Sequence, residues 1–420
     1  MKRMPRSLLT AKYTLMQTFF NLSLCCSFNY ASIFLLSRSL NNGEIGLVFS
    51  IANGLSLLCQ PFLASFADRN PQFPLRNLLA MAISLSVLCS ICLNFVPTLP
   101  LVTALLYILL SAAMSTQTSL LNAMAMEHIN SGIPLNFSLA RGIGSAAFAL
   151  LTLVMGFLVN DFGPAIIPYS ITLISILYLL LSLGFPRPAA PVKKERAEAV
   201  GLLRFVKGNR RFMLVVLSAI CIYFSHILYN TFTFQIIRHV GGDSAEMGIA
   251  SALAAFLELP AMALVPLVMR KFSSAGWILK LSAVFFTLKA LVTFLAKDIP
   301  TIYLSQLLQF FAFAVYIPAA VYYTNEVVAK ADQVKGQACM GMAVTISGMV
   351  GSTLGGFVLD QFGVSAMLGM GTAVSALGCV LLFFVMRRPI QPAPSMNRSV
   401  KPKSFTPKPS TEAAAPRQRS

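Results

Sequence analysis

Three ionisable side chains lie inside long apolar segments of the chain, where a charge is costly to hold. They are Arg141, Glu258 and Lys289. A charged group at the centre of a bilayer costs at least about 2.5–3.5 kcal/mol, so such residues are candidates for function. A desolvated carboxyl group favours its protonated form, which lets it take up and release a proton as its exposure changes. Glu258 is therefore our candidate for a proton-coupling residue.

The two cations in these segments each have two interpretations. Arg141 and Lys289 could bind an anionic group of a ligand, or they could serve structure by pairing or by extending toward the membrane surface. Counted from the basic ends of their helices, Glu258 and Lys289 lie at depths of roughly 16 Å and roughly 20 Å. A permanent ion pair between these two residues is therefore the alternative to a coupling role.

A second group of polar residues lies in segments of the same kind. His226 is a candidate for proton exchange, because an unperturbed histidine titrates near neutral pH. A histidine held by hydrogen bonds in a cavity is the alternative. Asn230, Tyr30 and Gln309 are candidates for contacts with a polar ligand. The sequence contains no nucleotide-binding loop, metal-ligand cluster or nucleophile beside a base, and we expect no cofactor and no metal.

The elements that position these residues are apolar helices. The chain has 420 residues, of which 56% are hydrophobic and 11% charged, whereas soluble domains carry about 25% charged residues. This composition excludes a water-soluble enzyme and favours membrane-spanning helices of roughly 20 residues. We predict twelve of them, at 13–36, 43–66, 77–96, 99–126, 137–160, 164–185, 211–236, 246–269, 276–296, 300–325, 336–359 and 364–386.

The basic residues predict the orientation of these helices. If both termini lie in the cytoplasm, 27 of the 32 Lys and Arg residues fall on the cytoplasmic side and 3 on the outer side. This bias is the one that the positive-inside rule describes. Membrane orientation then accounts for the net charge of +18 without nucleic acid. We expect a multi-pass protein of an inner or plasma membrane.

The longest internal break divides the predicted helices into six and six. Residues 1–185 form the first predicted bundle, 186–210 a cytoplasmic linker and 211–386 the second bundle. Residues 387–420 are basic and rich in proline, and we predict a disordered cytoplasmic tail there.

The two bundles share a sequence repeat. Residues 156–163 read GFLVNDFG and residues 356–363 read GFVLDQFG, so equivalent ends of the fifth and eleventh predicted helices are offset by 200 positions. Repeated halves are typical of secondary transporters, in which one half rocks against the other around a site at the midplane.

The loop after the second predicted helix carries a known pattern. Asp68 and Arg69 match the charged positions of G-x-x-x-D-R/K-x-G-R/K, while Ala64 and Pro71 replace its glycines. The chain therefore resembles the major facilitator superfamily. In that family this loop latches the two halves, which implies a conformational gating role for Asp68 and Arg69.

Several further stretches resemble one subgroup of that family, which contains the lactose and phenylpropionate permeases. The resemblance covers about residues 10–386. The stretches are NGEIG at 42–46, Ser225-His226 followed by Tyr229, Glu258-Leu259-Pro260, and Gly336-Gln337-Ala338 followed by Gly348, Gly351, Gly355 and Gly356.

The resemblance to lactose permease also implies roles for individual residues. The arginine that binds sugar falls on Arg141, and the tryptophan that stacks on sugar falls on Phe148. The ninth-helix arginine falls on Lys289, a proton-carrying histidine near Gln309, and a seventh-helix aspartate on Asn230. The other acidic positions are not preserved, since Ala123 and Ala312 replace glutamates. Galactoside specificity is therefore not expected.

These features predict an all-α membrane protein with twelve transmembrane helices in two pseudo-symmetric six-helix bundles. We expect secondary transport of a small organic solute, a carboxylate-bearing compound or a sugar, by alternating access with proton symport. The alternatives are a proton-driven efflux antiporter and a membrane sensor that does not transport. The expected partners are a small-molecule substrate, protons and the lipid bilayer. We expect a monomer that is not an enzyme and binds no nucleic acid.

Overall fold

The computed structural model describes residues 6–70, 73–95, 99–131, 135–186, 202–271 and 275–387. Helices dominate these ranges, and no β-strand occurs within them. The predicted tail beyond position 387 and positions 187–201 of the predicted linker lie outside the described residues.

The first half of the chain forms a bundle in which a π-helical turn interrupts the first membrane segment. That turn spans Cys25–Asn29 and links α1 to α2. The helices are α1 (Arg6–Leu24), α2 (Ala31–Ser37), α3 (Asn42–Arg69), α4 (Leu75–Phe95), α5 (Pro100–Asn130), α6 (Phe137–Phe162) and α7 (Ile166–Leu183).

The second half repeats this plan after a short helix, α8, which lies in the segment that we predicted to be a linker. The tenth predicted segment of the chain is split into the two helices α13 and α14. The eleventh and twelfth predicted segments are joined in the single helix α15. The helices are α8 (Leu202–Gly208), α9 (Arg210–Thr231), α10 (Thr233–His239), α11 (Ser244–Lys271), α12 (Ala275–Leu295), α13 (Ile299–Leu307), α14 (Phe313–Val327) and α15 (Gln333–Val385).

The helices are long and apolar enough to cross a membrane. Nine spans in the described ranges meet that description, one of them formed by α13, the turn after it and α14 together, or ten if the bent first pair is one span. One of them, α15, has 53 residues and bends at Gly363, where φ is 80°. It therefore accommodates the two predicted segments 336–359 and 364–386. The all-α membrane architecture is confirmed, while the count of twelve spans stays a prediction.

Matching breaks in the two halves show the internal repeat in three dimensions. Tyr30 interrupts the first membrane segment with φ −100° and ψ 5°, and Phe232 interrupts the seventh with φ −111° and ψ 24°. Gly163 at the end of α6 and Gly363 in α15 both have positive φ, 78° and 80°. A positive φ favours glycine, because other residues meet a steric penalty there. Equivalent positions of the two halves thus adopt equivalent backbone conformations.

The buried apolar residues form three clusters that reveal how the halves meet. One cluster lies within the first half, from Leu9 to Phe185, and a second within the second half, from Phe205 to Val385. The third and largest contains residues of both halves, including Tyr30, Phe34, Phe224 and Phe232. The halves therefore share one core at one end of the molecule and have separate cores at the other.

Two helix crossings close the shared end. A Cβ on Gly46 of α3 would lie 2.1 Å from the Ser352 carbonyl oxygen of α15, and one on Gly156 of α6 would lie 2.9 Å from the Gly248 Cα of α11. Only glycine permits such close backbone approach. Farther from the crossing, Arg141, Gly142 and Ile143 of α6 are exposed, and a Cβ on Gly142 would meet no atom within 4 Å.

Candidate functional site

A break in the tenth membrane segment opens a polar site inside the second half. After α13 ends at Leu307, a 3₁₀ turn leads to Ala312, whose φ of −81° and ψ of −97° are not helical. Ser282 of α12 donates its hydroxyl to the Ala312 carbonyl oxygen at 2.6 Å. The same carbonyl oxygen also accepts the Tyr316 backbone N–H at 3.0 Å, so Ser282 adds a second donor that ties the start of α14 to α12. The 3₁₀ turn contacts both α11 and α12.

Gln309 lies in this turn and joins residues of the two neighbouring helices. Lys289 of α12 donates from Nζ to Gln309 Oε1 at 2.7 Å and to Gln306 Oε1 at 2.9 Å. Gln309 donates from Nε2 to Glu258 Oε1 of α11 at 2.7 Å. One amide therefore bridges an ammonium group and a carboxylate, using its oxygen for the first and its nitrogen for the second.

The bridge replaces the direct ion pair that was the structural alternative in the sequence. No nitrogen–oxygen distance within 4.0 Å joins Lys289 to Glu258, both of which lie in the described part of the chain. Lys289 is 5% exposed and Gln309 is 3% exposed, whereas Glu258 is half-buried. The carboxylate thus lies at the more open end of the network, and the ammonium lies at its buried end.

An aromatic wall lies beside this network. The His226 ring of α9 stacks on Phe313, with ring centroids 4.6 Å apart and planes at 21°, and meets the Phe286 ring edge-on at 5.5 Å. His226 Nε2 lies 3.1 Å from the Asn230 side-chain nitrogen, and Asn230 is exposed. Buried and half-buried aromatic rings therefore pack around His226, while the Asn230 amide next to it is open.

The sequence comparisons identify the family of this chain. The model of the MFS_1 like family matches residues 11–368. The chain belongs to this family. The match covers both halves, so membership of the major facilitator superfamily, expected from Asp68 and Arg69, is confirmed. The narrower lactose permease subgroup stays a prediction.

Similar proteins of known kind are transporters. The chain is 24% identical over 374 residues to a maltose permease of Geobacillus stearothermophilus, covering 86% of this chain and 90% of that protein. Its structure is similar to the nucleoside transporter NupG, with TM-score 0.77 at 15% identity over 90% and 98% of the two chains. It is also similar to a D-xylose–proton symporter, with TM-score 0.66 at 14% identity over 91% and 97%. These structural likenesses establish the shared fold.

Within this MFS_1 like protein, two predicted site residues lie on α6, away from the network. Arg141 is exposed and Phe148 is half-buried. They are seven positions apart, so they share one face of the helix. Both belong to the part of α6 before its crossing with α11. The structure therefore divides the predicted site residues between the two halves.

Tyr30 has a structural environment in this conformation. Its side chain is fully buried, and its hydroxyl donates to the Thr152 carbonyl oxygen of α6. A Cβ on Gly248 would lie 3.1 Å from that hydroxyl. Tyr30 thus packs where the halves meet, and its hydroxyl is hydrogen-bonded within the protein in this conformation. Its contact with a ligand stays a prediction.

The predicted gating residues lie at the far end of α3. Arg69 is the last residue of the helix and is exposed. The side chain of Asp68 lies outside the described residues. Their gating role stays a prediction.

Sequence reasoning predicted Glu258, Lys289 and Gln309 but missed the residues that support them. Gln306 and Ser282 were not singled out, because single uncharged polar residues in apolar helices give little signal. Phe313 and Phe286 were missed because aromatic residues are frequent throughout these helices. Gln306 lies three positions before Gln309, so both lie on one helical face. This spacing is the one signal that could have revealed Gln306.

Proposed function

We propose that the protein is a proton-coupled secondary transporter that moves a small polyhydroxylated solute by alternating access. The bridge from Lys289 through Gln309 to Glu258 is the observation that carries the proposal. It lies midway along α11, beside a broken helix, in a fold whose halves meet at one end only. Discontinuous helices with polar residues near the midplane are typical of transporter binding sites.

Glu258 is suited to exchange a proton within this site. One carboxylate oxygen accepts the Gln309 amide, and the other accepts no hydrogen bond from the described residues. A proton on that second oxygen would remove the negative charge and weaken the hold on Gln309. Because Gln309 lies at the helix break, proton loading at Glu258 can bias the position of α13 relative to α14.

The shape supports alternation of access between two sides. The crossings of α3 with α15 and of α6 with α11 close the side opposite both termini. With the orientation predicted from the basic residues, the closed side is the outer one and the separated ends face the cytoplasm. The conformation is then inward-facing, with both termini cytoplasmic, in an inner or plasma membrane. We expect the monomer to be the transporting unit.

The chemistry of the site favours an uncharged solute rich in hydroxyl groups. The ammonium of Lys289 is already bonded to two amide oxygens, so it offers little to an anion. The more accessible polar groups nearby are the exposed Asn230 amide and the half-buried Glu258 carboxylate, which match hydroxyl donors and acceptors. The similarity to a maltose permease points the same way. A carboxylate-bearing solute is the second candidate, because Arg141 is exposed on α6.

Uptake by reconstituted protein tests this proposal. Purified protein in liposomes would be offered labelled sugars and labelled carboxylates, with the medium more acidic than the interior. We expect uptake of a sugar that collapses when a protonophore is added, and that persists in Arg141→Gln. Uptake of carboxylates alone, lost in Arg141→Gln, would select the second candidate. Export of a solute in exchange for entering protons would indicate an efflux antiporter. The absence of flux with any solute would favour a membrane sensor that does not transport.

A further inference from the structure

A carboxylate of the second half caps a helix of the first half at the closed end of the molecule. Asp360 of α15 accepts at Oδ1 from the Asn42 backbone N–H at 3.1 Å and from the Asn42 side chain at 2.8 Å. Its Oδ2 accepts from the Gly43 N–H at 2.6 Å. The first N–H groups of a helix have no partner within it, and the helix dipole favours a negative charge there.

The rest of that helix start is capped from within its own half. Asn41 accepts the Glu44 N–H at 2.8 Å, and Glu44 accepts the Asn41 N–H at 2.8 Å, which forms a capping box. The start of α3 is thus satisfied partly by its own residues and partly by the opposite half. Separation of the halves would remove only the part that Asp360 supplies.

Close backbone contact allows the carboxylate to reach its partners. A Cβ on Gly356 would lie 2.2 Å from the Asn42 carbonyl oxygen, and one on Gly43 would lie 3.2 Å from Asp360 Oδ2. Gln235 of α10 adds a further contact, because its Nε2 donates to Asn42 Oδ1 at 2.8 Å. Asn42 is therefore held by two helices of the opposite half.

The pseudo-symmetric crossing differs at the equivalent position. Asn160 of α6 corresponds to Asp360 by the 200-residue offset, and both residues are exposed. The helix that it faces, α11, is capped by its own Asp243, whose Oδ1 accepts the Ala245 N–H at 2.7 Å. No described hydrogen bond links Asn160 to α11. Within the described residues, a carboxylate of one half thus caps a helix of the other half at only one of the two similar crossings.

We propose that Asp360 is a latch that holds the outer side closed and must release the start of α3 whenever that side opens. This role rests on the proposed alternating access. Opening replaces three charge-assisted hydrogen bonds within the protein by bonds to water. The latch therefore sets the balance between the two conformations, while Asn160 at the equivalent position leaves the other crossing free of this constraint.

Labelling of a cysteine behind the latch tests this role. Ser352 is 1% exposed and lies in the crossing, two turns from Asp360. Ser352→Cys would be introduced into the full chain, and a membrane-impermeant maleimide would be added from the outer side of cells. The same chain without Ser352→Cys gives the background from the native cysteines. We expect Asp360→Ala to label roughly threefold faster or more, given the range for charges at helix ends.

Matched variants decide between a latch and a general loss of structure. Asn160→Ala should label at the parental rate, and Asp360→Asn should fall between parent and Asp360→Ala. Equal labelling of parent, Asp360→Ala and Asp360→Asn, each with parental thermal stability, would overturn the latch. If Asp360→Ala does not fold, Asp360→Asn alone decides. The readout needs no substrate, so a failure of the transport proposal would appear separately, as absent uptake by the unmodified protein.

Discussion

Gln309 donates from its side-chain nitrogen to Glu258 at 2.7 Å, while its oxygen accepts from Lys289 at the same distance. A single amide therefore sets the separation between the only acid and the only ammonium described in this network. Glu258 and Lys289 are joined by a neutral amide and not by a direct ion pair. Protonation of Glu258 would therefore affect the hydrogen bond of Lys289 through a movement of the Gln309 side chain.

Removal of the bridging amide should harm both folding and transport. In Gln309→Leu, Glu258 loses its donor and Lys289 keeps one amide partner. An unsatisfied buried polar group costs about 1–3 kcal/mol. We expect a loss of thermal stability in that range and loss of proton-driven uptake. Gln306→Leu is the matched control, because Gln306 contacts Lys289 and leaves the Glu258 bond intact. Equal effects of the two variants would contradict the bridging role.

The helix break depends on a hydroxyl from a neighbouring helix. Ser282→Ala removes one of the two donors to the Ala312 carbonyl and leaves the Tyr316 N–H in place. We expect about 1 kcal/mol of lost stability together with weaker solute binding. Ser225→Ala is the comparison, because that hydroxyl bonds to the Ile222 carbonyl of its own helix. Thermal unfolding in detergent and the KM for uptake would be measured for both. Indistinguishable values would show that Ser282 does not position the break.

The α6–α11 crossing should not accept a methyl group. A Cβ on Gly248 would lie 2.8 Å from the Gly156 Cα, so Gly248→Ala must separate the helices, with about 1–3 kcal/mol of strain in the closed state. Gly341→Ala is the control, since no atom lies within 4 Å of its Cβ. Pulsed EPR between labels at Phe162 and Lys297 would report the distance between the outer ends. We expect a longer distance in Gly248→Ala and an unchanged one in Gly341→Ala.

The start of α13 should respond to acid. Asp298 accepts the Thr301 N–H at 2.8 Å, and hydrogen bonds from the Thr301 side chain and backbone lower the pKa of this carboxyl group. A lowered pKa in the folded state means that the stabilisation is present above the unfolded value of about 3.9 and is lost as the pH falls through the folded value. The thermal stability of the parent should therefore drop more between pH 6 and pH 3 than that of Asp298→Asn. Asparagine also caps helices but does not titrate in this range. Identical pH dependence would contradict the assignment.

Much of the fold could be predicted from the sequence because a bilayer requires long apolar helices. Each of the twelve predicted segments overlaps a described helix, the last two sharing α15, and the repeat around Gly163 and Gly363 recurs in the backbone. The short helix α8 was missed, since its seven residues fall below the length that hydropathy detects. The interruption of the tenth segment was also missed, because Ala312 carries no residue-type signal for a break.

The candidate site was only partly predictable. Charge in an apolar helix singled out Glu258 and Lys289, and both belong to the network. Their connection through Gln309 depends on the break in the helix, which periodicity does not show. Tyr30 shows a second limit of sequence reasoning, because a polar group in an apolar segment can bond to a backbone carbonyl of a distant helix, and the sequence does not reveal that partner.

Proton flux in the presence of solute tests the central claim most directly. Liposomes with an internal pH dye would hold either the unmodified protein or Glu258→Gln, which keeps an acceptor for Gln309 but cannot bind the proton. We expect solute addition to acidify the interior only with the unmodified protein, while Glu258→Gln still exchanges solute across the membrane without proton movement. Equal acidification by both proteins, with equal solute uptake, would show that Glu258 is not the coupling residue.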